Sequence, residues 1–377
     1  MVLAPTPYLG VDSWYAYGSK IDDSVIRSMV DLVVSTGMRD AGYRYVWLDA
    51  GWPAGRNPDG SIALDGTQWP DGLDGLCEYI HSQGLSAGIY IDAGPSTSLA
   101  FGSHGHYQED ADAFAAWGFD ALKADFVSGG PEGLDPRVVY PQFARAVRNN
   151  ASGRPMLFNV CNFWNPGQID GARPTAESSS YCNYQWAPKI AESWRTDTDI
   201  GLDGKTAWQW IMRNFDHNCT HPEAAGPGHW NDPDYIVPSS NLGYSQIRAY
   251  LSLWVVMAAP LMISADLAMQ PQANIDLFTN REAIRISQDP VGAQATTAYR
   301  SGDAQVLVKP MVDGARAVCV LNRGELDQDV TVTTSMIGLP PHPMFVRDVW
   351  RHATNTSHTI SATLGPTSCE LFTVAPA

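Results

Sequence analysis

The chain has 377 residues, 44% of them hydrophobic and 17% charged, a composition that supports a large buried core and excludes a disordered chain. Its 24 basic residues against 40 acidic ones leave a net charge of −16, which argues against nucleic acid or an anionic membrane surface as partner, because both need clustered Lys and Arg. A neutral substrate fits this balance, and the length predicts one large domain with a smaller companion.

Leu9-Gly10-Val11-Asp12-Ser13-Trp14 opens the chain as a short apolar run ending in Asp and Trp. Asp22 and Asp23 follow as N-cap candidates for a helix with Val25, Met29, Leu32 and Val33 on one face and Gly37 beyond its end. The strand Tyr43 to Asp49 completes a strand–helix–strand unit, and the alternation then repeats. Helix Leu73 to His81 leads to strand Leu85 to Asp92, helix Asp110 to Trp117 to strand Asp120 to Phe126, and a helix around Val138 to Asn149 to strand Met156 to Cys161. A strand at Trp194, helix Thr206 to Phe215, strand Trp230 to Tyr235, helix Gln246 to Met257 and strand Leu261 to Asp266 finish the series.

Strands alternating with helices in this way predict an α/β fold, a (β/α)8 TIM barrel over residues 1–292. After Asp289-Pro290 the pattern changes to short alternating strands: Val306 to Met311, Arg316 to Leu321, Val330 to Thr334, Phe345 to Trp350, Ile360 to Leu364 and Glu370 to Val374. Turn signals such as Asp313-Gly314 and Pro340-Pro341 separate them, which predicts a C-terminal antiparallel β-sandwich over residues 293–377.

No apolar run approaches the roughly 18 residues of a membrane span, and no signal-type n-region and h-region precedes Leu9. The protein is expected to be cytoplasmic, or secreted with its export signal removed. The six cysteines are too few for a disulfide framework and form no Cys-x-x-Cys pair. Cys77 reads as core with Leu73, Leu76 and Ile80, whereas Cys161 and Cys182 are left as a possible pair.

Carboxylates recur at the predicted strand ends: Asp12, Asp49, Asp92, Asp125, Asp199, Asp234 and Asp266. In such barrels the C-terminal strand ends converge on the active site. So many acids at one mouth repel one another unless cations, hydrogen bonds or a hydroxyl-rich ligand satisfy them. Asp92 and Asp266 could equally bond backbone amides. The strand Asp120 to Phe126 is the centre of the pattern, because it carries Lys123 and Asp125 together. No Gly-x-Ser-x-Gly elbow, no His-Glu-x-x-His and no glycine-rich phosphate loop is present, so no metal and no cofactor is expected. His229 reads as a structural or pocket-wall residue rather than a base. What remains is a pair of carboxylates, the equipment of glycoside hydrolysis, and the 13 tryptophans supply indole faces on which sugar rings can stack.

On these segments the chain resembles glycoside hydrolase family 27, the α-galactosidases and α-N-acetylgalactosaminidases. The resemblance lies in Lys123-Ala124-Asp125, Ser193-Trp194-Arg195-Thr196-Asp197-Thr198-Asp199-Ile200, Gly228-His229-Trp230-Asn231-Asp232-Pro233-Asp234 and Met257-Ala258-Ala259-Pro260-Leu261-Met262-Ile263-Ser264-Ala265-Asp266. It implies a retaining, exo-acting hydrolase with Asp125 as nucleophile and Asp199 as general acid/base. Lys123 is expected to keep Asp125 ionised. By the same resemblance Trp14, Asp49, Tyr90, Lys123, Asn162, Arg195 and Asp234 line the sugar site, and the substrate is an oligosaccharide or polysaccharide.

Three departures stand out, one being that Ser98 and Val127 occupy places where family members often form a disulfide. Galactose-specific members usually carry two adjacent Asp residues followed by Cys where this chain has Asp49-Ala50-Gly51, and Cys-Glu-Trp where it has Cys161-Asn162-Phe163. Loss of the second acid keeps three other sugars open: those of a β-L-arabinopyranosidase, an α-N-acetylgalactosaminidase and an isomaltodextranase-like α-1,6-glucan hydrolase. The alternative from another class is an inactive carbohydrate-binding protein on the same fold, against which the retention of both Asp125 and Asp199 argues.

Overall fold

The computed structural model describes residues 2–162, 183–202 and 205–377. Eight parallel strands form one curled sheet: β1 (Leu9–Asp12), β2 (Tyr45–Leu48), β3 (Ser86–Asp92), β4 (Ala121–Asp125), β5 (Leu157–Cys161), β6 (Ser193–Arg195), β7 (Trp230–Asp232) and β8 (Leu261–Ile263). They lie side by side in chain order, with β8 beside β1. Ile236, just past β7, bridges to Ile263 and closes the ring: its N–H donates to the Met262 carbonyl at 2.8 Å, and its carbonyl accepts from Ser264 N at 3.0 Å. The strands are buried on both faces, as parallel strands covered by helices must be. Close packing shows at Gly88 in β3, where a Cβ would lie 2.1 Å from Trp47 Cδ1.

The surrounding helices are α1 (Asp23–Ser35), α2 (Gly72–Ser82), α3 (Tyr107–Trp117), α4 (Pro136–Arg148), α5 (Trp208–Asn218), α6 (Tyr244–Val256), α7 (Gln272–Phe278) and α8 (Arg281–Ser287). Of the two candidates Asp22 is the N-cap of α1, accepting from Val25 N at 2.8 Å. Gly37 takes a left-handed φ of 80° just beyond that helix. The buried Cys77 packs with Leu73, Leu76 and Ile80 of α2, as its spacing predicts.

Strand ends differ more from the sequence expectation than strand cores do. β7 and β8 stop at Asp232 and Ile263, short of the predicted Tyr235 and Asp266, and β6 stops at Arg195, before Asp199. The residues beyond each end leave the ladder to form the rim of the barrel.

The C-terminal part is antiparallel throughout. β9 (Thr296–Ser301), β10 (Ala304–Pro310), β11 (Arg316–Asn322), β13 (Met344–Asp348), β14 (Ala353–Ser357) and β16 (Ser368–Pro376) form one sheet, in the order β9-β10-β11-β16-β13-β14. β12 (Gln328–Thr333) pairs with β15 (Thr359–Leu364) as the second layer. Alternation along the central strands serves two cores. Cys319 and Leu371 face the barrel core, whereas Val318, Val320, Phe372 and Val374 join the core between the two layers. Among the described residues no helix is long and apolar enough to cross a membrane.

Candidate active site

The registers of β3, β4 and β5 set the floor of the site. Tyr90 stands opposite Lys123, and Lys123 opposite Asn159, so these side chains point to one face and converge inside the barrel. Asn159 stays below, donating to Ser193 Oγ at 2.7 Å and to Asp232 Oδ2 at 2.9 Å. Above this layer a cavity of about 560 Å³ opens at the C-terminal ends of the strands.

Trp14, Asp49, Tyr90, Lys123, Asp125, Arg195, Asp199 and Asp234 all line this cavity. Lys123 donates to Asp49 Oδ2 at 2.7 Å, and Tyr235 donates to the same oxygen at 3.3 Å. The ammonium also lies 4.6 Å from the centre of the Tyr235 ring. Burial opposes the charge on Lys123, but Asp49 and the other anions around it raise its pKa well above the ordinary value.

Asp125, buried at the end of β4, accepts from Tyr90 OH at 3.0 Å and from Phe126 N at 2.8 Å. Burial pushes its carboxyl up to about 7; the Lys123 charge pulls down, while the Asp92 and Asp199 charges push up. Lys123 therefore acts on Asp125 through space, with its hydrogen bond committed to Asp49, and burial outweighs it. Burial thus opposes the charged form of Asp125, while Lys123 favours it, the direction expected of a neighbouring cation.

Arg195 reaches Asp199 Oδ1 at 2.8 Å and Asp234 Oδ2 at 2.9 Å, and its Nη1 lies 3.3 Å from Cys161 Sγ. Asp234 is pushed up to about 6 by burial, against the opposing pull of Arg195. Asp199 stands four residues past β6, on a segment fixed by α5. Arg213 donates to the Asp199 carbonyl at 2.7 Å, Asn214 to the Thr198 carbonyl at 2.9 Å, and the buried Asp197 pairs with Arg213 and His217. Asp234 has a left-handed φ of 82°, a conformation Asp tolerates better than most residues, and accepts from Tyr235 N at 2.8 Å and Ile200 N at 2.8 Å.

The other acidic ends do different work. Asp92 accepts from Gly94 N at 2.7 Å, Val127 N at 2.5 Å and Ser128 Oγ at 2.5 Å, locking the turn after β4. Asp266 caps a single turn, accepting from Ala268 N at 3.0 Å. Asp12 is fully buried behind Asp49 and its pKa is raised well by burial and by the Asp49 charge.

Asn162 is the expected site residue that the structure turns away. It is buried and does not line the cavity. Its Nδ2 donates to Asn183 Oδ1 at 2.9 Å, and Asn183 in turn donates to the carbonyls of Asn162 and Arg195 at 2.7 and 2.9 Å. The amide thus ties the end of β5 to β6. Cys182, the partner considered for Cys161, lies outside the described residues. His229 stacks on Trp194 with ring centres 6.3 Å apart and does not line the cavity.

Sequence reasoning missed Tyr235, Tyr15 and Trp52, and the segment Thr97 to Phe101, all of which line the cavity. Tyr235 directly follows Asp234, so the acidic end of β7 was the available signal. The 97–101 segment carries no charged residue, and its one signal was Ser98, at a place where family members often form a disulfide with the position of Val127.

Two family models match the chain: Alpha galactosidase A over residues 10–289, and Alpha galactosidase C-terminal beta sandwich domain over residues 301–374. Fold, cavity and matches together define a glycoside hydrolase of the α-galactosidase type. The chain is 33% identical to Alpha-galactosidase 2 of Arabidopsis thaliana over 99% of its own length and 90% of the relative's. It is 34% identical to Alpha-galactosidase A of Cellvibrio japonicus over 86% of its length and 77% of the relative's. The crystal structure of α-galactosidase I from Mortierella vinacea superposes with a TM-score of 0.87 at 25% identity, covering 100% of this chain and 98% of that one. The chain belongs to glycoside hydrolase family 27.

Proposed function

We propose that the protein is a retaining, exo-acting hydrolase of terminal sugars on oligosaccharides or polysaccharides, with Asp125 as nucleophile and Asp199 as general acid/base. Asp125 attacks the anomeric carbon and forms a covalent glycosyl ester while Asp199 protonates the departing oxygen. Asp199 then deprotonates the water that cleaves the ester. The observation that carries this reading is the contrast between the two carboxylates in one cavity. Asp125 is buried at the floor under the Tyr90 hydroxyl, where a sugar ring excludes water. The Asp199 side chain is 49% exposed at the mouth, where the leaving group departs.

Asp49, Lys123, Tyr235 and Asp234 supply the donors and acceptors for the ring hydroxyls, and Trp14 supplies an apolar face. An α-galactoside is the first substrate to test. Ala50, which also lines the cavity, favours a second reading. Where other members place a second acid there is a methyl group, so a pentopyranoside or an α-1,6-glucan fits as well. A panel of nitrophenyl glycosides followed by NMR tests both parts. The expected first product is the sugar with its anomeric configuration kept. Release of the inverted anomer overturns the double displacement.

A further inference from the structure

The lining of the cavity changes character from floor to mouth. Asp49, Lys123, Asp125, Arg195 and Asp234 at the floor are each less than a tenth exposed, whereas Leu99 is 63% and Trp14 38% exposed at the rim. Large apolar side chains left in water at a ligand site are covered when the ligand arrives.

Leu99 is not on a slack loop. Thr97 N donates to the Ala100 carbonyl at 2.9 Å, and Leu99 N to Thr97 Oγ1 at 3.1 Å. Ser96 and Gly102 exchange hydrogen bonds at 3.1 and 3.2 Å. Beneath them Arg56 donates to the Gly102 carbonyl at 2.9 Å, lies 4.9 Å from the Phe101 ring centre, and pairs at 2.6 Å with Asp110, which is buried. A backbone braced in this way holds Leu99 at the rim, so the segment itself need not be ordered on binding.

From this we infer that the rim at Leu99 is a subsite for an apolar aglycone, so the enzyme selects glycosides of hydrophobic alcohols over those of sugars. The inference rests on the functional reading above, in which Asp199 protonates the leaving group at the mouth of the cavity that Leu99 also lines. The cavity is of a size that holds a drug-sized ligand, which leaves space at the rim once the floor is filled. A hydrophobic aglycone there covers Leu99, whereas a second sugar ring has to give up water from its hydroxyls against a segment that offers no charged partner.

The test uses two ligands that are not hydrolysed, methyl and octyl 1-thio-α-D-galactopyranoside, titrated calorimetrically into the wild type and Leu99→Ser. The wild type is expected to bind the octyl compound about tenfold tighter, the order of gain from covering one side chain. Leu99→Ser is expected to lose most of that ratio while binding the methyl compound as the wild type does. Equal affinity of the wild type for the two ligands, or an unchanged ratio in the variant, overturns the inference and leaves the hydrolase reading intact. Binding of neither ligand by the wild type overturns the galactoside reading together with the inference built on it.

Discussion

Lys123 gives its hydrogen bond to Asp49, at 2.7 Å, and not to the carboxylate two residues further along its own strand. The two ions are both buried and hold each other in place, so the lysine anchors one wall of the site while biasing Asp125 from a distance.

Removing one partner of such a pair strands the other. Lys123→Met should lower stability by about 3–5 kcal/mol, because it leaves an uncompensated buried carboxylate. Urea unfolding measures this, and Lys123→Met combined with Asp49→Asn should recover part of the loss. A single variant as stable as the wild type would show that Asp49 is satisfied without its lysine.

Asp125 shifts from an ordinary value of 3.8 to about 7 and Asp234 to about 6. Both values are raised on folding, so between about pH 4 and pH 7 the folded state binds more protons than the unfolded one. Their contribution to stability is present below the unfolded value and is lost as pH rises through the folded values. Unfolding midpoints of the unliganded protein should therefore decline over this window for Asp125→Asn less steeply than for the wild type. Parallel curves would contradict the burial-driven shift. For the same reason kcat/KM should rise with pH along a limb near 7, because the nucleophile must be ionised in the free enzyme.

Asp199→Asn separates the acid from the nucleophile. Cleavage of glycosides with alkyl or sugar leaving groups should fall by roughly 10²–10⁴-fold, the usual size of general acid catalysis. Activated aryl glycosides, whose leaving group needs little protonation, should suffer less in their first step. Full activity on poor leaving groups would remove Asp199 from its role.

Ala50→Asp restores an acid where the chain has a methyl group. A buried site that hydrogen-bonds a particular hydroxyl discriminates strongly against sugars lacking it. The variant should favour galactoside cleavage over glucoside and arabinopyranoside cleavage by about 1–3 kcal/mol if the new bond forms well. Ratios of kcat/KM across the three nitrophenyl glycosides decide it. Efficient galactoside cleavage by the wild type, with a poorer variant, would mean that another residue makes this contact.

The barrel was legible because its strands are continuous apolar runs that end in charge, and eight of the nine site residues expected from the sequence do meet at one cavity. What the sequence did not disclose follows from geometry. β9 and β14 went unseen because both are edge strands of their sheet with exposed side chains, so neither carries the alternation that marks a half-buried strand. Asn162 looked like a site residue by position, but its amide donates to Asn183, a partner 21 residues away. Asp92 matched the site acids in pattern, and its bonds to neighbouring amides and the Ser128 hydroxyl separate it from them.

The sandwich shares its inner face with the barrel: Leu307, Cys319 and Leu371 belong to the same apolar cluster as Leu253 and Trp254 of α6. Arg323 grips Asp216 with two bonds at 2.8 and 2.6 Å, and Arg347 grips Glu282 at 2.9 and 2.6 Å across the same junction. A fragment ending before β9 would therefore expose the oily outer face of α6 and unpair Asp216 and Glu282. Such a fragment should aggregate when expressed alone, and the intact chain should melt in one cooperative step. The second sheet thus acts as part of the barrel's own core, and replacing it with a foreign domain removes the surface that covers α6.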